Sequence, residues 1–138
     1  MTQEETLLCL QWDFFDWDNA EKILHKLQAE LSNAATQKNF SLVRKLQKKI
    51  VSDFNCRCLA VRHVCKNNSV AGVDGIKWTT SLEKIQAAIK LADKNYHASP
   101  LRVIKFSSKN NGKVRRGHLL TYFDRAMSVL HGYTLLPP

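Results

Sequence analysis

A loop built from two glycines and an aspartate separates a helical front from a second part that contains a β-hairpin. The loop, residues 70–75 (Val-Ala-Gly-Val-Asp-Gly), lies between a basic helical stretch and a run that opens on Pro100. Glycine tolerates positive φ and aspartate can bond to its own backbone, so this stretch predicts a structured loop. Any fold for the chain must therefore interrupt its helices here.

Two amphipathic helices are predicted ahead of this loop. The first begins at Asp18, which forms a capping-box pair with Glu21, and its apolar residues continue at helical spacing to about residue 35. The second is expected over residues 41–65 as one uninterrupted apolar stripe. The short polar connection between them favours an antiparallel helical hairpin.

A third helix and a β-hairpin are predicted after the loop. Thr80 and Glu83 form a second capping box, and the helix that they open is expected to end around Tyr96. A β-rich run over 101–106 then pairs with 113–116 across an Asn-Asn-Gly turn.

The last predicted element is a short helix over 124–131, closed by Gly132 as its C-cap. The fold class is therefore α+β and mostly α: a helical hairpin and a third helix, then the β-hairpin and this last helix. We expect an acidic aromatic lead (1–16) and one domain (17–138), divided into the helical hairpin (17–65), the Gly-Val-Asp-Gly loop (66–79), a helix (80–97) and the β-hairpin with its helix (100–138).

Positive charge dominates all but the first thirty residues. Residues 1–30 carry seven acidic and two basic residues, and the remainder carries 19 basic and five acidic residues, which gives net charges of −5 and +14. A surface this basic repels itself unless a polyanion neutralises it, and nucleic acid is the commonest such partner. The alternative is a solvated basic surface without a ligand. The charge thus favours a nucleic-acid-binding protein.

The cysteines do not have the spacing of a metal site. Only one residue separates Cys56 from Cys58, which is a poor fit to zinc ligands. Cys58 and Cys65 are expected to face the core from the second helix, with Cys56 pointing elsewhere. We therefore expect reduced core cysteines, no metal and no cofactor.

Acidic and aromatic residues alternate ahead of the first helix. The aromatic residues are Trp12, Phe14, Phe15 and Trp17. Because the neighbouring carboxylates repel phosphate, packing against the helices or against a protein partner is favoured over stacking on a nucleic-acid base. The cluster is a candidate protein-docking surface.

The order of short motifs resembles the N-terminal region of group II intron reverse transcriptases, the intron-encoded maturases. The matching motifs are Trp17, Leu27-Gln28, Leu46-Gln47, Leu59-Ala60-Val61-Arg62, Ala71-Gly72-Val73-Asp74-Gly75, Trp78, Asn111-Gly112-Lys113-Val114-Arg115 and Asp124-Arg125-Ala126-Met127. Each motif is common alone, and their shared order makes the resemblance specific. It implies a region that grips structured RNA, followed by the first hairpin of the enzyme's fingers.

The chain departs from this family at the hairpin. The resemblance implies a proline just before Lys109 and another just after Arg115, but this chain has Ser108 and Arg116 there. It also implies that this lysine and this arginine neighbour the triphosphate of the incoming nucleotide in the intact enzymes. The changes indicate relaxed selection on that geometry.

A catalytic palm is not recognisable in the sequence. Nucleotidyl transfer uses two metal ions held by aspartates, which the resemblance implies would include an adjacent Asp-Asp pair. Beyond residue 80 the acids are Glu83, Asp93 and Asp124, and none is adjacent to another. No His or Cys lies in a nucleophile motif, and no Gly-rich phosphate loop precedes a helix. We expect a non-catalytic protein.

The leading hypothesis is a non-catalytic module that binds structured RNA within a ribonucleoprotein. Phosphate contacts position RNA without reading its sequence, so specificity would come from RNA shape or from unstacked bases. The candidate RNA-binding residues are Arg44, Lys45, Lys48, Lys49, Arg57, Arg62, Lys66, Lys77, Lys105, Lys109, Lys113, Arg115 and Arg116. Trp78 is expected in the core, with stacking on a base as the alternative.

Two other hypotheses stay open. In one, the chain is an accessory subunit that docks on a larger nucleic-acid-processing complex through its acidic aromatic cluster. In the other, it is the fingers half of a split reverse transcriptase. Each implies an intracellular protein, in bacterial cytoplasm or an organelle, because no apolar run is long enough for a bilayer and the acidic start does not fit a signal peptide.

Overall fold

The described part of the chain folds into six helices and one β-hairpin. The computed structural model describes residues 2–66, 70–92, 96–107 and 112–135. In chain order the elements are α1 (Gln3–Asp13), α2 (Trp17–Thr36), α3 (Phe40–Ser52), α4 (Phe54–Lys66), α5 (Ser81–Lys90), β1 (Arg102–Ser107), β2 (Val114–Leu119) and α6 (Tyr122–Gly132). None of these described helices is long and apolar enough to cross a membrane. The predicted fold class, α+β and mostly α, is confirmed.

Short polar side chains begin the helices. The carboxylate of Asp16 accepts a hydrogen bond from the backbone N–H of Asn19 at 3.0 Å and begins α2. The predicted start at Asp18 is therefore wrong by two residues, because Asp18 lies in the first turn. Thr80 and Glu83 form the capping box predicted for α5.

The predicted second helix is two helices. α3 ends at Ser52 and α4 begins at Phe54, since Asp53 between them has extended backbone angles (φ −75°, ψ 126°). The carboxylate of Asp53 accepts from the N–H of Asn55 at 2.8 Å, and the hydroxyl of Ser52 donates to the carbonyl of Lys48 at 2.8 Å. Such local bonds compete with the helical ladder. The apolar spacing continues across the break, so periodicity could not detect it.

The acidic lead contains a helix that the sequence pattern does not predict. α1 begins at its Thr2 cap, whose side chain accepts from the N–H of Glu5 at 3.2 Å. α1 packs against α5, and the hydroxyl of Ser81 donates to the carboxylate of Asp13 at 2.5 Å. Periodicity misses α1 because apolar residues occur on both of its faces.

α4 forms the centre of the core. It packs against α2, α3, α5 and α6, so side chains on several sides of it are buried. Cys56 and Cys58 are both fully buried, and burial raises the pKa of each thiol to about 12. The expected core cysteines are present as free thiols. The expectation that Cys56 points elsewhere is wrong, because α4 has neighbours on most of its circumference.

The β-hairpin is antiparallel and projects from the helices. β1 and β2 pair along their whole length, with Ser107 opposite Val114. β1 lies one residue later than the predicted run, and β2 begins one residue later than predicted and continues three residues further, to Leu119. Gly112 lies near the tip with a φ of +61°. The predicted turn residues Asn110 and Asn111 lie outside the described residues. Within the described part of the hairpin, neither strand packs extensively on a helix.

Two further helix ends differ from the predictions. α5 ends at Lys90, before the predicted end at Tyr96. α6 begins at Tyr122, because the hydroxyl of Thr121 caps its first turn. Gly132 is the last residue of α6 and not its cap.

Candidate nucleic-acid interface

Four basic side chains share one exposed face of α3. They are Arg44, Lys45, Lys48 and Lys49. With 3.6 residues per turn, all four fall within an arc of about 140° that does not include the buried side chains of Leu46 and Ile50. α3 contains no acidic residue, and none of the four cations forms an ion pair with a described residue. The face is therefore an uncompensated strip of positive charge.

Two glutamines hold α2 and α3 against the segment that follows α6. Gln28 donates from its side-chain amide to the carbonyl of Tyr133 at 3.1 Å, and Gln47 donates to the carbonyl of Thr134 at 3.5 Å. Carbonyls at a helix end lack intrahelical partners, so side-chain donors can satisfy them. Each Leu-Gln motif thereby connects its helix to the segment after α6, with the shorter Gln28 bond the stronger of the two.

Arg57 is tied to helix ends and is not part of the basic face. Its guanidinium donates to the carbonyls of Ala88 and Ile89 in α5 at 2.9 and 3.3 Å. It also donates to the carbonyl of Ser52 at the end of α3, at 3.4 Å, and lies over the ring of Phe54. A cation at the C-terminal carbonyls of two helices is favoured by their dipoles. These bonds direct both terminal nitrogens of the half-buried guanidinium at backbone carbonyls.

Arg62 is also held by its neighbours. Its guanidinium carbon lies 4.8 Å from the ring centroid of Trp17, and Nη1 is 3.8 Å from the carboxylate of Glu21. The exposed ion pair adds little stability but offsets part of the positive charge. Lys66 is exposed and, with Lys84 and Arg62, lines a recess of about 230 Å³. This corner remains basic.

The Gly-Val-Asp-Gly loop is clamped by two arginines from the second half of the chain. Arg102 of β1 donates to the carbonyl of Ala71 at 3.0 Å. Arg125 of α6 donates to the carbonyl of Val70 at 2.7 Å and lies over the ring of Tyr122. The hairpin and α6 are thus fastened to the loop by bonds that use two basic side chains as donors to the backbone.

Backbone packs directly against backbone at Gly72. A Cβ at this position would lie 2.6 Å from the Cα of Thr121, so only glycine leaves room for the approach. The N–H of Gly75, whose φ is +69°, donates to the carbonyl of Gly72 at 3.1 Å. The carboxylate of Asp74 accepts from the N–H of Ile76 at 3.0 Å. The predicted structured loop is confirmed.

Trp78 belongs to the core. It is buried and meets Tyr122 edge to face, with ring centroids 5.6 Å apart. The core interpretation is confirmed, because stacking on a base requires an accessible ring face. Lys77 beside it is exposed and stays a candidate phosphate contact.

The hairpin brings two of the predicted cations together. Lys105 and Arg116 are exposed and lie directly opposite each other in the strand register. Like charges at this cross-strand distance repel, so an anion between them would be stabilising. Arg115 lies on the other face because successive side chains alternate, and Lys113 precedes β2. Lys109 lies outside the described residues.

A cleft of about 680 Å³ opens beside the basic face of α3. Lys48 and Val51 line it from α3, and Tyr96, Met127 and His131 line it from the facing segments. Pockets with mainly apolar walls and a few polar groups are typical of sites that bind small organic groups. The cleft thus places an apolar recess next to a row of cations.

The acidic aromatic cluster is mostly internal. Trp12 is buried, and Trp17 meets Trp12 and Phe15 edge to face at centroid distances of 4.9 and 4.6 Å. Phe15 also meets Phe54 of α4 at 6.2 Å. Phe14 is the one member of the predicted docking cluster that is largely exposed. Most of the cluster is thus used to pack the start of α2 against α1 and α4.

Titratable side chains do not assemble into a metal centre in the described ranges. No group of three or more His, Cys, Asp or Glu side chains there is placed to hold a metal ion. The thiol of Cys65 instead donates to the carbonyl of Trp78 at 3.8 Å, and burial raises the pKa of that thiol.

A known protein family covers the region from the end of α1 to the end of α5. The sequence model described as the N-terminal domain of reverse transcriptase matches residues 12–91, more than half of the chain. The chain belongs to this family. The match contains the basic face of α3 and the Gly-Val-Asp-Gly loop of this reverse-transcriptase N-terminal domain. A comparison with curated proteins found no match.

The folded unit of this reverse-transcriptase N-terminal domain is larger than the family match. α6 lies beyond the matched residues, yet it packs on α4 and buries Ala126 and Leu130 completely. The loop inside the match is clamped by Arg102 and Arg125 outside it. The hairpin and α6 therefore complete the same domain.

Proposed function

We propose that this reverse-transcriptase N-terminal domain binds structured RNA within a ribonucleoprotein, as a non-catalytic module related to the group II intron maturases. The observation that carries the proposal is the exposed face of α3, where Arg44, Lys45, Lys48 and Lys49 stand together on a helix without acids. The order of motifs in the sequence supports the maturase lineage.

The basic face of α3 suits a phosphate backbone. The four cations occupy about 8 Å of helix axis, so they repel one another until an anion neutralises them. Neutralising phosphates releases condensed counterions, which supplies much of the affinity of proteins for nucleic acids. Lys105 and Arg116 would form a second contact on the hairpin.

The cleft beside α3 would give the interface its selectivity. RNA in its A-form presents a major groove that is too narrow to read, so proteins recognise unstacked bases in loops and bulges. A base flipped away from the phosphates on α3 would meet the apolar wall made by Val51 and Met127. We therefore expect stem-loops to bind more tightly than fully paired duplexes.

The proposal assigns no catalytic step to this domain. Glu83 is used in the cap of α5. Asp124 is buried, where it accepts hydrogen bonds from the hydroxyl of Tyr96 and the N–H of Ser99. Asp93 lies outside the described residues. Glu83 and Asp124, the acidic residues after residue 80 that the structure describes, thus have structural partners.

A matched pair of triple variants tests the RNA interface. The first replaces Lys45, Lys48 and Lys49 by glutamine, and the control replaces the exposed lysines Lys22, Lys26 and Lys90 in the same way. Binding to a stem-loop RNA is measured across a salt series. In the first variant the slope of log affinity against log salt should become shallower by about 2 to 3, because each lost phosphate contact removes nearly one unit. The control should keep the slope of the original protein.

Equal losses in both variants would show that total charge matters and that α3 is no defined interface. An affinity that does not change with salt would contradict phosphate binding altogether.

Filling the cleft tests the source of selectivity. Ala92 is exposed and lines the cleft, so Ala92→Trp should occupy the recess without disturbing the core. We expect the preference for a stem-loop over a fully paired duplex to fall about tenfold, while the salt slope stays unchanged. Ala98→Trp, at an exposed position that does not line the cleft, is the control. An unchanged preference in Ala92→Trp would remove the cleft from the interface.

A further inference from the structure

α1 carries apolar side chains on two opposite faces. Leu8 and Trp12 pack against the core on the inner face. Leu7, Leu10 and Phe14 lie on the outer face, with exposed fractions of 60, 47 and 83%. Their spacing of three and four residues places them in one stripe along the helix, which we call the outer stripe. Exposed apolar patches that are bordered by polar residues mark interaction sites.

The surroundings of the outer stripe are acidic. Residues 2–21 contain six acids and no lysine or arginine. Glu4 lies on one side of the stripe and Asp13 on the other, and Asp16 and Asp18 follow its C-terminal end. The charge here is thus opposite to that of the rest of the chain.

This charge decides between the possible occupants. RNA and anionic lipid would be repelled by the acids. A second copy would bring two acidic surfaces together, because residues 2–21 carry six acids and no lysine or arginine in each copy, and this is unfavourable. A protein segment with apolar side chains flanked by basic ones would satisfy both the stripe and its acidic border.

We propose that the outer stripe of α1 is the docking site for an amphipathic basic segment of another protein. Leu7, Leu10 and Phe14 are the anchors, in the spacing by which helical segments are recognised. The acids on either side select a partner with lysine or arginine flanking its apolar side chains. This site is separate from the basic face of α3, so one molecule can hold RNA and a basic protein together.

A pair of synthetic peptides serves as the probe. One is an amphipathic helix of leucine and lysine, and the other has glutamate in place of every lysine. The lysine peptide should bind the full chain at least tenfold more tightly than the glutamate peptide, although the whole protein is positively charged.

Substitution of the outer stripe then locates the site. A variant with Leu7, Leu10 and Phe14 replaced by serine should bind the lysine peptide about a hundredfold more weakly. The control replaces Leu101, Val103 and Val114, which are also exposed and apolar, by serine. Its affinity for the lysine peptide should stay within about twofold of that of the original protein. Phe14→Ser alone should cost about tenfold, and circular dichroism confirms that each variant keeps its helices.

Three outcomes would overturn the proposal. They are failure of the lysine peptide to bind, equal binding of the two peptides, and equal binding by the stripe variant and its control. Light scattering supplies a further outcome, since a dimer that dissociates in the stripe variant would make a second copy the occupant. RNA affinity should be the same in all of these variants, so loss of this site and loss of the RNA interface are separable.

Discussion

Asp124 shows how a single carboxylate connects distant segments of the domain. Its side chain accepts hydrogen bonds from the hydroxyl of Tyr96 and from the N–H of Ser99, and its own N–H donates to the hydroxyl of Thr121. A buried carboxylate is tolerated only when its oxygens are bonded in this way. Asp124 therefore fixes the approach to the hairpin against the first turn of α6.

Gly72 is the residue at which a single methyl group should matter most. In Gly72→Ala the new Cβ would lie 2.6 Å from the Cα of Thr121 and 2.8 Å from the carbonyl oxygen of Leu120. Backbone atoms cannot move aside as a flexible side chain would, so we expect a loss of about 3 kcal/mol in the free energy of unfolding. Urea denaturation followed by circular dichroism measures it.

Gly132→Ala is the matched control for this substitution. Nothing lies within 4 Å of a Cβ at Gly132, which is a helical residue of α6. Alanine is the better helix former, so this variant should be as stable as the original protein or about 0.5 kcal/mol more stable. Similar losses at both positions would contradict the close approach at Gly72.

Sequence reasoning succeeds at residues whose role is local and fails where a distant element decides. The capping box of Thr80 and the Gly-Asp loop depend on neighbours in the chain, and both are predicted correctly. Arg57 and Arg62 belong to the same basic pattern as the lysines of α3. They differ because α5 and Trp17, far away in the sequence, lie within reach of their guanidinium groups. No pattern in the sequence distinguishes such an arginine from a solvated one.

Elements follow the same rule. α2, α5 and the hairpin have one clear apolar period or turn, and the sequence predicts each of them. α1 has apolar residues on two faces and therefore no period, although its outer stripe becomes evident once the helix is seen. The break at Asp53 is invisible because the apolar spacing of α3 continues into α4.

Arg57 joins the ends of two helices. Its substitution should therefore lower stability and leave RNA affinity unchanged, whereas loss of a phosphate contact should do the reverse. Arg57→Met removes the donors to the carbonyls of Ala88 in α5 and Ser52 in α3. We expect the free energy of unfolding to fall by about 2 kcal/mol, because charged hydrogen bonds to partly buried carbonyls are lost. Stem-loop RNA affinity should stay within about twofold. Urea denaturation and RNA binding on the same preparation measure both.

Lys48→Met provides the opposite pattern in the same experiment. Lys48 is exposed on α3. The free energy of unfolding of Lys48→Met should therefore differ from that of the original protein by less than about 0.5 kcal/mol, while its RNA affinity falls. If Arg57→Met folds but no longer binds RNA, Arg57 is part of the RNA interface and the structural interpretation of this residue is wrong.

At the scale of the molecule, the boundary of the family match does not coincide with the boundary of the fold. The matched residues 12–91 contain the basic face, but α6 fills the space against α4. The sequence predicts two helices before the loop, and a third helix, a hairpin and a last short helix after it. That α6 returns to the helical core is a long-range fact, which local patterns do not carry.

The whole domain should lose stability in alkaline solution. Burial raises the pKa of Tyr96 and of Tyr133 from 10.0 to about 12, and that of Cys56 and Cys58 from 9.0 to about 12. Each group holds its proton more tightly when folded, so its stabilising effect is complete below the pKa of the unfolded chain and is lost as the pH rises towards 12. The urea midpoint should fall between pH 9 and 12.

Tyr96→Phe identifies one contribution to this alkaline loss. The variant cannot ionise at this position, so its urea midpoint should fall less steeply than that of the original protein above pH 10. A midpoint that stays constant up to pH 11 in the original protein would show that these groups are not buried as described.

The two buried thiols of α4 can report how often the core of the domain opens. Cys56 and Cys58 have no exposed surface, and a thiol with so high a pKa carries almost no reactive thiolate at neutral pH. They can be alkylated only when α4 leaves its neighbours. Cys9 and Cys65 are also free thiols and are only partly buried, so a timed pulse of iodoacetamide should be read as the mass added at Cys56 and Cys58 after digestion. That reading measures opening of the core around α4 without any spectroscopic label.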